Sequence, residues 1–143
     1  MCYRSREKLR TYFILKHKFS FKKYLDINNP GTRTKVTKLR VSNHKLPIER
    51  GRYHNIDIND RKCNMCTEDT IGDEFHLLMC CKHPEILKLR SHFQMQLKNI
   101  TPQIQLLPLK VQFVYIFSLL DRNILHLTCH FIADCMQTRS TYS

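Results

Sequence analysis

Residues that break helices and form tight turns are scarce in this chain. Its 143 residues include only 3 glycines and 5 prolines. Folds rich in β-strands need such residues in their many turns, so their scarcity argues against a turn-rich β fold. Lysine, leucine, arginine and glutamine, which favour helices, are frequent instead. Because 42% of the residues are hydrophobic, the chain can bury a modest core, and we expect one mostly α-helical domain.

Long apolar runs are also missing. The longest run covers residues 111–120 and is interrupted by Gln112 and Ser118, whereas a membrane-spanning helix needs about 20 apolar residues. The first residues, MCYRSREKLRTYF, contain no apolar core of signal-peptide length. We therefore expect an intracellular protein, nuclear or cytoplasmic, that is neither secreted nor bound to a membrane.

The sequence motifs of known catalytic sites are absent. The 12 acidic residues include no adjacent Asp-Asp pair that could hold two metal ions, and no stretch matches a glycine-rich phosphate loop. His126 and His130 are spaced one helical turn apart, but no glutamate base accompanies them, so we interpret them as ordinary helix residues. These absences predict that the chain is not an enzyme.

The excess of positive over negative charge is confined to the first 62 residues of the chain. This part holds 17 Lys and Arg against 5 Asp and Glu, whereas residues 63–143 hold 7 of each. A one-sided basic segment is typical of proteins that bind polyanions, and we expect it to bind RNA or DNA through phosphate contacts. A merely solvated basic face is the alternative. The candidate nucleic-acid-binding residues are Arg33, Lys35, Lys38, Arg40, Lys45, Arg50 and Arg52.

Four residues in the middle of the chain have the spacing of a zinc site. Cys63 and Cys66 form a Cys-x2-Cys pair, and His76 and Cys80 follow after nine residues in a His-x3-Cys pair. Zinc prefers four such ligands in a tetrahedron, and clustered cysteines without a secretion signal favour metal over disulfides. We therefore predict a structural Zn2+ site of the Cys-Cys-His-Cys type.

A helix is expected to carry the second pair of ligands. Thr70 and Asp73 have the spacing of a capping box, and residues four apart lie on the same face of an α-helix. The neighbouring Cys81 and His83 could replace one of the four ligands. Since acidic residues lie between the ligands, we expect the zinc module to stabilise the fold while the basic segment contacts phosphates.

Hydrophobic periodicity predicts several further helices. We expect basic helices over residues 6–25, a short helix from about Thr32 to Pro47, a helix opened by Pro84, and helices over 109–120 and 121–137. Residues 48–62 suggest a loop or short strand. The residues predicted to be buried in the C-terminal helices are Phe93, Leu97, Phe113, Phe117, Ile124 and Phe131.

These elements divide the chain into three parts. A basic helical segment covers residues 1–62, the Cys-Cys-His-Cys module covers 63–82, and a C-terminal helical bundle covers 83–143. We expect them to form one compact unit. The predicted fold is thus a small, mostly α-helical domain built around a zinc-binding turn and helix.

Between residues 24 and 80 the chain contains, in order, YLDINNPGTRTKVTKLRVSNHKLPIERGRY, RKCNMC and GDEFHLLMC. This combination resembles a region of animal non-LTR retrotransposon polyproteins of the jockey-like kind, downstream of their reverse transcriptase domain. In that family a basic LR-S-H-L-IE-GR stretch precedes a Cys-x2-Cys pair, and an acidic E-H-LL-C stretch closes the zinc site. The C-terminal FVYIFSLL and Arg139 are also similar to the tail of that family. The matching residues here are Leu39, Arg40, Ser42, His44, Leu46, Ile48, Glu49, Gly51 and Arg52, then Cys63, Cys66, His76 and Cys80.

The resemblance implies binding of element RNA or target DNA during reverse transcription. It implies no polymerase activity, because the endonuclease and polymerase motifs are absent from this chain. The family usually has proline after the last zinc ligand, where this chain has Cys81. A zinc-stabilised protein-interaction domain and a non-functional element remnant are the alternative interpretations.

Overall fold

A computed structural model of the protein describes residues 23–142, with side chains from residue 25 onward. The α-helices are α1 (Pro30–Arg40), α2 (Pro47–Tyr53), α3 (Pro84–Ile100), α4 (Leu109–Phe117) and α5 (Leu125–Thr141). Short 3-10 turns cover Lys23–Asp26, Ile58–Asp60 and Pro102–Leu106, and a π-helical turn covers His76–Cys80. Within residues 23–142 no β-strand forms, although Lys62 and Ile71 make an isolated antiparallel bridge. The predicted mostly α-helical class is confirmed. The helices predicted over residues 6–25 lie outside the described residues, apart from the turn at Lys23–Asp26.

Helix α5 packs against two other helices. It contacts α1 and α3, and it also contacts the Lys23–Asp26 turn and the π-helical turn. A helix from before the cysteines, α1, and the helix that follows them, α3, are thereby held against the same element. This arrangement brings the basic segment and the C-terminal helix side by side.

Aromatic side chains fill the core between α3, α4 and α5. The rings of Phe93 and Phe131 stack with their centroids 4.1 Å apart, and Phe117 lies within 6.4 Å of both. Such aromatic pairs contribute roughly 0.5–1.5 kcal/mol each beyond the area that they bury. The prediction of buried residues is confirmed for the whole set, Phe93, Leu97, Phe113, Phe117, Ile124 and Phe131.

Three helices begin at a proline. Pro30, Pro47 and Pro84 each occupy the first helical position, where the missing N–H is not needed. Helix α1 starts two residues before the predicted Thr32, because the side chain of Asn29 accepts a hydrogen bond from Thr32 N at 3.1 Å and caps it. The prediction of a loop or short strand after Pro47 is wrong, because Pro47–Tyr53 form helix α2. Pro47 begins this helix and does not end the preceding one.

Helices α1 and α2 end without glycine. Ser42 and Asn55 follow them with φ angles of 55° and 54°, in the left-handed region that glycine usually occupies. After α1, Ser42 N donates to Leu39 O at 3.2 Å and Asn43 N donates to Lys38 O at 2.8 Å. These are the two hydrogen bonds of a Schellman motif, so the scarce glycines are replaced here by polar residues.

The two C-terminal helices are shorter at their junction than the sequence predicts. Helix α4 stops at Phe117, and Leu119 has a φ angle of 60°, which ends the helix before the predicted residue 120. Helix α5 begins only at Leu125 and extends to Thr141, beyond the predicted residue 137. Leu119 is nevertheless buried, so packing of its side chain offsets its unfavourable backbone conformation.

Three buried arginines donate hydrogen bonds to main-chain carbonyl groups. Arg40 donates to Phe117 O at the end of α4, at 3.0 Å. Arg61 donates to Ile48 O in the first turn of α2 and to Ile56 O in the loop after it, at 3.1 and 3.0 Å. Arg90, on α3, donates to carbonyls of the π-helical turn. Positive side chains at the carbonyl ends of helices satisfy acceptors that have no partner within the helix.

Candidate metal centre and basic groove

Three thiols and one imidazole converge between the isolated bridge and the π-helical turn. The ligand atoms of Cys63, Cys66, His76 and Cys81 all lie within 4.8 Å of one another. Cys66 Sγ lies 3.3 Å from His76 Nε2, and Cys63 Sγ lies 4.0 Å from Cys81 Sγ. His76 and Cys81 are buried, whereas the other two are half-buried. This group could hold a metal ion.

A narrow loop presents the first two ligands. Cys63 N donates to Thr70 O at 2.9 Å, next to the bridge between Lys62 and Ile71, so the chain returns on itself around the Cys-x2-Cys turn. Inside that turn Met65 N approaches Cys63 Sγ at 3.5 Å. A backbone N–H directed at sulfur stabilises a thiolate, which is the form that binds metal.

The predicted capping box is replaced by a different arrangement around His76. Asp73 caps the helical turn, because its Oδ1 accepts from His76 N at 2.8 Å. Thr70 does not cap; its hydroxyl oxygen lies 3.1 Å from His76 Nδ1. If the ring donates its Nδ1–H to Thr70, the Nε2 lone pair faces the three sulfurs. Such an outer hydrogen bond is the usual way in which a metal-binding histidine is oriented.

The fourth member of the group is Cys81. The prediction that Cys80 is the fourth ligand is therefore wrong. Sequence spacing assumed an α-helix, in which Cys80 would share a face with His76. The turn is π-helical instead, and Cys81 N donates to His76 O at 2.6 Å, five residues back. The wider turn moves the following residue into the place that Cys80 would have taken. Cys81, which the sequence left open as a substitute ligand, is therefore the residue that the structure brings to the group.

Arg90 explains why the wider turn is stable. Its guanidinium donates to Leu78 O at 3.0 Å, to Leu77 O at 3.2 Å and to Cys81 O at 2.8 Å. These carbonyls belong to the π-helical turn and its end, where an ordinary helix would leave acceptors unpaired. Sequence reasoning missed this residue, because nothing in the local pattern of residues 63–82 announces a partner on the next helix.

The protonation of the group is shared among its members. Hydrogen bonding with Cys81 lowers the pKa of Cys63 to about 3, against the effect of burial, and the same contact raises the pKa of Cys81. Burial lowers the pKa of His76, but its contacts with Cys63 and Cys66 outweigh this effect and raise it on balance. A cation in the centre would displace the protons from the thiol and the imidazole.

The basic part of the resembling stretch, residues 39–52, packs against the chain just before His76, where Ile48 N donates to Gly72 O at 3.2 Å. His44 Nε2 lies 2.6 Å from Glu74 Oε1, with both side chains buried, and this contact ties the basic segment to the turn that holds His76. Gly51 packs on Arg61 so closely that a Cβ atom there would stand 2.4 Å from Arg61 Cγ. The other buried residues of the segment are Leu39, Arg40, Ser42, Leu46, Ile48 and Glu49. Most of this motif therefore packs, and little of it is free to contact a ligand.

The candidate nucleic-acid-binding residues divide into three groups. Arg40 is 2% exposed and bound to α4, so the prediction that it contacts phosphate is wrong. Arg52 is half-buried, with its Nε 3.0 Å from Glu49 Oε2 and its guanidinium 4.5 Å from the centroid of the Tyr53 ring. The remaining residues are exposed or half-buried at the surface: Arg33, Lys35, Lys38, Lys45 and Arg50.

Four of these basic residues meet residues of α5 in one groove of about 840 Å³. Lys35 and Lys38 line it from α1, Lys45 from the following loop and Arg50 from α2. Arg139 lines it from α5. Among the described residues that line this basic groove, none is aspartate or glutamate. A second, smaller groove of about 410 Å³ shares Arg50, His54 and Arg139 with it.

Two acidic residues between Cys66 and His76 are paired with lysines. Asp69 Oδ1 lies 3.2 Å from Lys62 Nζ, and Glu68 Oε1 lies 2.6 Å from Lys82 Nζ. Exposed pairs of this kind contribute little stability, but they offset the negative charge of the loop. His126 and His130 are exposed on α5 and lie apart from the metal group, as ordinary helix residues would.

Comparison with known proteins gives no relative. No protein-family model matches the chain, and no curated protein or solved structure matches it significantly. Among the described helices, none combines the length and the apolar character needed to cross a membrane.

Proposed function

We propose that the chain is a zinc-stabilised nucleic-acid-binding module that derives from the C-terminal part of a non-LTR retrotransposon protein. In this proposal Cys63, Cys66, His76 and Cys81 hold Zn2+, and the basic groove binds RNA or DNA. The observation that carries it is the groove itself, in which lysine and arginine side chains from three successive elements line one surface without a carboxylate among the described residues. No catalytic step is part of the proposal.

Zinc is supported by the donor set and by its spacing. Three sulfurs and one imidazole nitrogen suit zinc, which prefers these donors in closed structural sites. Around a tetrahedral zinc ion the ligand atoms stand about 3.4–3.8 Å apart. The separations of 3.3 Å between Cys66 and His76 and 4.0 Å between Cys63 and Cys81 are close to that range.

Nucleic acid is supported by the exposure and chemistry of the groove. Lys38, Lys45 and Arg50 are exposed, and their charges can neutralise phosphates and release counterions. Tyr53 also lines the groove and is 65% exposed, so its ring can stack on an unpaired base. A strand with both phosphates and bases matches this combination better than an acidic protein surface, which offers no base to stack.

The proposed retrotransposon origin is supported by the way in which the residues that carry the resemblance pack together. The basic stretch and the Cys/His stretch, which occur together in the resembling family, are here one packed unit joined by His44 and Glu74. A motif whose residues pack on each other would be retained as a whole. The resemblance and the packing therefore support the same proposal.

A salt titration of RNA and DNA binding tests the function. The zinc-loaded protein is titrated with a single-stranded RNA and a duplex DNA of about 16 nucleotides, at salt concentrations from about 50 to 200 mM. We expect affinity to fall steeply with salt. The variant Lys38→Gln, Lys45→Gln, Arg50→Gln should flatten the slope by about 0.7–0.9 for each phosphate that the protein no longer neutralises.

A control variant with the same change in charge separates the groove from general attraction. Lys88→Gln, Lys98→Gln, Arg122→Gln removes three exposed positive charges from residues that do not line the groove. It should bind more tightly than the groove variant. Equal losses in the two variants, or no binding by the wild type even at low salt, would contradict the proposal and favour a protein-interaction domain.

A further inference from the structure

Arg139 is the one buried arginine among the described residues whose side chain has no carbonyl partner. It is 5% exposed, and its Nη1 makes no hydrogen bond to any described residue. Arg40, Arg61 and Arg90 are similarly buried, and each donates to main-chain oxygens. A buried guanidinium that lacks an acceptor is costly, so an acceptor from outside the described residues is to be expected.

The position of Arg139 indicates what that acceptor is. Its side chain lines the basic groove and the smaller groove beside it, at the place where the two meet. Arg50 also lines both grooves. Burial lowers the pKa of Arg139, and the positive charge of Arg50 lowers that pKa further. Asp60 lines the smaller groove, whereas no described residue that lines the basic groove is a carboxylate, so the two positive groups attract an anion on the side of the basic groove. A negatively charged acceptor therefore suits this place better than a neutral one.

The thiols of the metal group do not fill this role. Cys63 and Cys81 are near enough to raise the pKa of Arg139, but no sulfur of the described residues lies within hydrogen-bond distance of its Nη1. Their charge partly compensates the burial of the guanidinium, while its N–H donors stay available. Arg139 thus lies between the group of Cys63, Cys66, His76 and Cys81 and the basic groove.

We propose that Arg139, with Arg50 beside it, forms a phosphate subsite at the base of the basic groove that holds one phosphodiester of the bound nucleic acid. This inference rests on the proposed function and adds a residue from the C-terminal helix to a surface predicted only within residues 1–62. The planar guanidinium can offer two parallel N–H donors to the two free oxygens of a phosphodiester. The surface lysines of the groove then neutralise the neighbouring phosphates as point charges.

Binding measurements on matched variants test the subsite. Arg139→Gln should weaken RNA binding about tenfold or more, because a charge-assisted hydrogen bond in a water-excluded place is lost together with the charge. Arg122→Gln removes one exposed positive charge outside the groove and should weaken binding less than about threefold. RNA should raise the unfolding temperature of the wild type and of Arg122→Gln, but much less that of Arg139→Gln.

A measurement on the wild type covers the case in which Arg139→Gln fails to fold or to keep its metal. The side-chain Nε–Hε resonance of Arg139 should shift in NMR spectra as single-stranded RNA is added, whereas those of Arg40, Arg61 and Arg90 should stay in place. An unchanged Arg139 resonance, while amides of residues 35–50 shift, would overturn the subsite and leave the proposed function intact. Absence of any RNA-induced shift would instead contradict the proposed function itself.

A free polyphosphate serves as the competing probe. Sodium tripolyphosphate has the same phosphate chemistry without bases, so it should shift the Arg139 resonance only at much higher phosphate concentration than RNA. An equal effect at equal phosphate concentration would overturn the assignment to nucleic acid, because the subsite would then prefer a small anion.

Discussion

A guanidinium group in the interior has to place its N–H donors on acceptors, and this protein uses that requirement repeatedly. Arg40, Arg61 and Arg90 each join two segments of the chain by donating to carbonyl groups, and Arg40 reaches across 77 residues of sequence. Hydrogen bonds of a charged group contribute about 1.5–3 kcal/mol, so each arginine stabilises a tertiary contact comparably to a buried aliphatic side chain. Arg139 has similar burial and no such acceptor among the described residues, which sets it apart chemically.

The two adjacent cysteines are expected to respond differently to the same substitution. Cys81→Ser removes a member of the metal group and should weaken zinc binding by about tenfold or more, as even the loss of an outer-shell partner does. Cys80→Ser changes a half-buried sulfur outside the group and should leave affinity close to that of the wild type. Competition with a chromophoric chelator measures both affinities. The reverse order of the two variants would show that Cys80 is the ligand.

At the residue scale, some members of the candidate site could be predicted from the sequence and others could not. Cys63, Cys66 and His76 were predictable, because a Cys-x2-Cys turn and a following histidine define three ligands by local spacing alone. The position of Cys81 was not, since it follows from the π-helical form of the turn, whose carbonyls accept hydrogen bonds from Arg90, nine to thirteen residues further along the chain. Arg40 was misassigned for a related reason. Periodicity treats every arginine as exposed, whereas a distant helix end can bind one in the interior.

At the level of elements, a proline marked a helix boundary correctly but did not always show whether a helix begins or ends there. Pro84 was expected to open α3 and does. Pro47 was expected to end an element but opens α2, because a proline has the same preference for a first helical position as for the residue after a helix. The ends at Ser42, Asn55 and Leu119 lack the glycine that signals a left-handed residue, so the sequence offers no marker for them.

The end of α1 allows a stability prediction. Ser42→Gly should stabilise the protein by about 0.5–1 kcal/mol, because glycine adopts the φ angle of 55° without the strain of a side chain. The buried Ser42 hydroxyl, which has no hydrogen-bond partner among the described residues, would also be removed. The midpoint of urea unfolding measures the change.

The matched control is Ser118→Gly. Ser118 has a φ angle of −67°, and its hydroxyl donates to Tyr115 O at 3.0 Å. Glycine there gains no backbone relief and loses a hydrogen bond, so this variant should be destabilised by about 1 kcal/mol. If both variants shift the midpoint in the same direction, the backbone strain at Ser42 is not the controlling factor.

At the level of the whole molecule, the metal group joins the basic segment to the C-terminal helices. The π-helical turn contacts both α3 and α5, and His44 reaches it from the loop after α1. Helix class and core residues followed from composition and periodicity. The convergence of the three parts did not, because α5 packs on α1 across about a hundred residues of sequence, as the contact between Lys35 Nζ and Gln137 Oε1 at 2.8 Å shows.

Metal affinity should rise with pH through the neutral range. Binding requires a neutral His76 and a Cys81 thiolate, and the pKa values of both are raised, so protons compete with the metal up to higher pH than in model peptides. Each proton displaced changes the affinity about tenfold per pH unit below the pKa of its group. Chelator competition between about pH 6 and pH 8 measures this slope. An affinity that does not change over this range would contradict the assigned ligands.

Two adjacent cysteines, Cys80 and Cys81, stand at the end of the π-helical turn, and their position decides the effect of deleting one residue from that turn. A π-helical turn is an α-helical turn that has gained one residue, so the loss of any one of residues 77–79 would return it to the shorter form. Cys81 would then stand four positions after His76, in the spacing of an ordinary helix. The shorter and longer versions of this turn differ by a single codon, and Cys81 would keep its place beside His76 in both lengths.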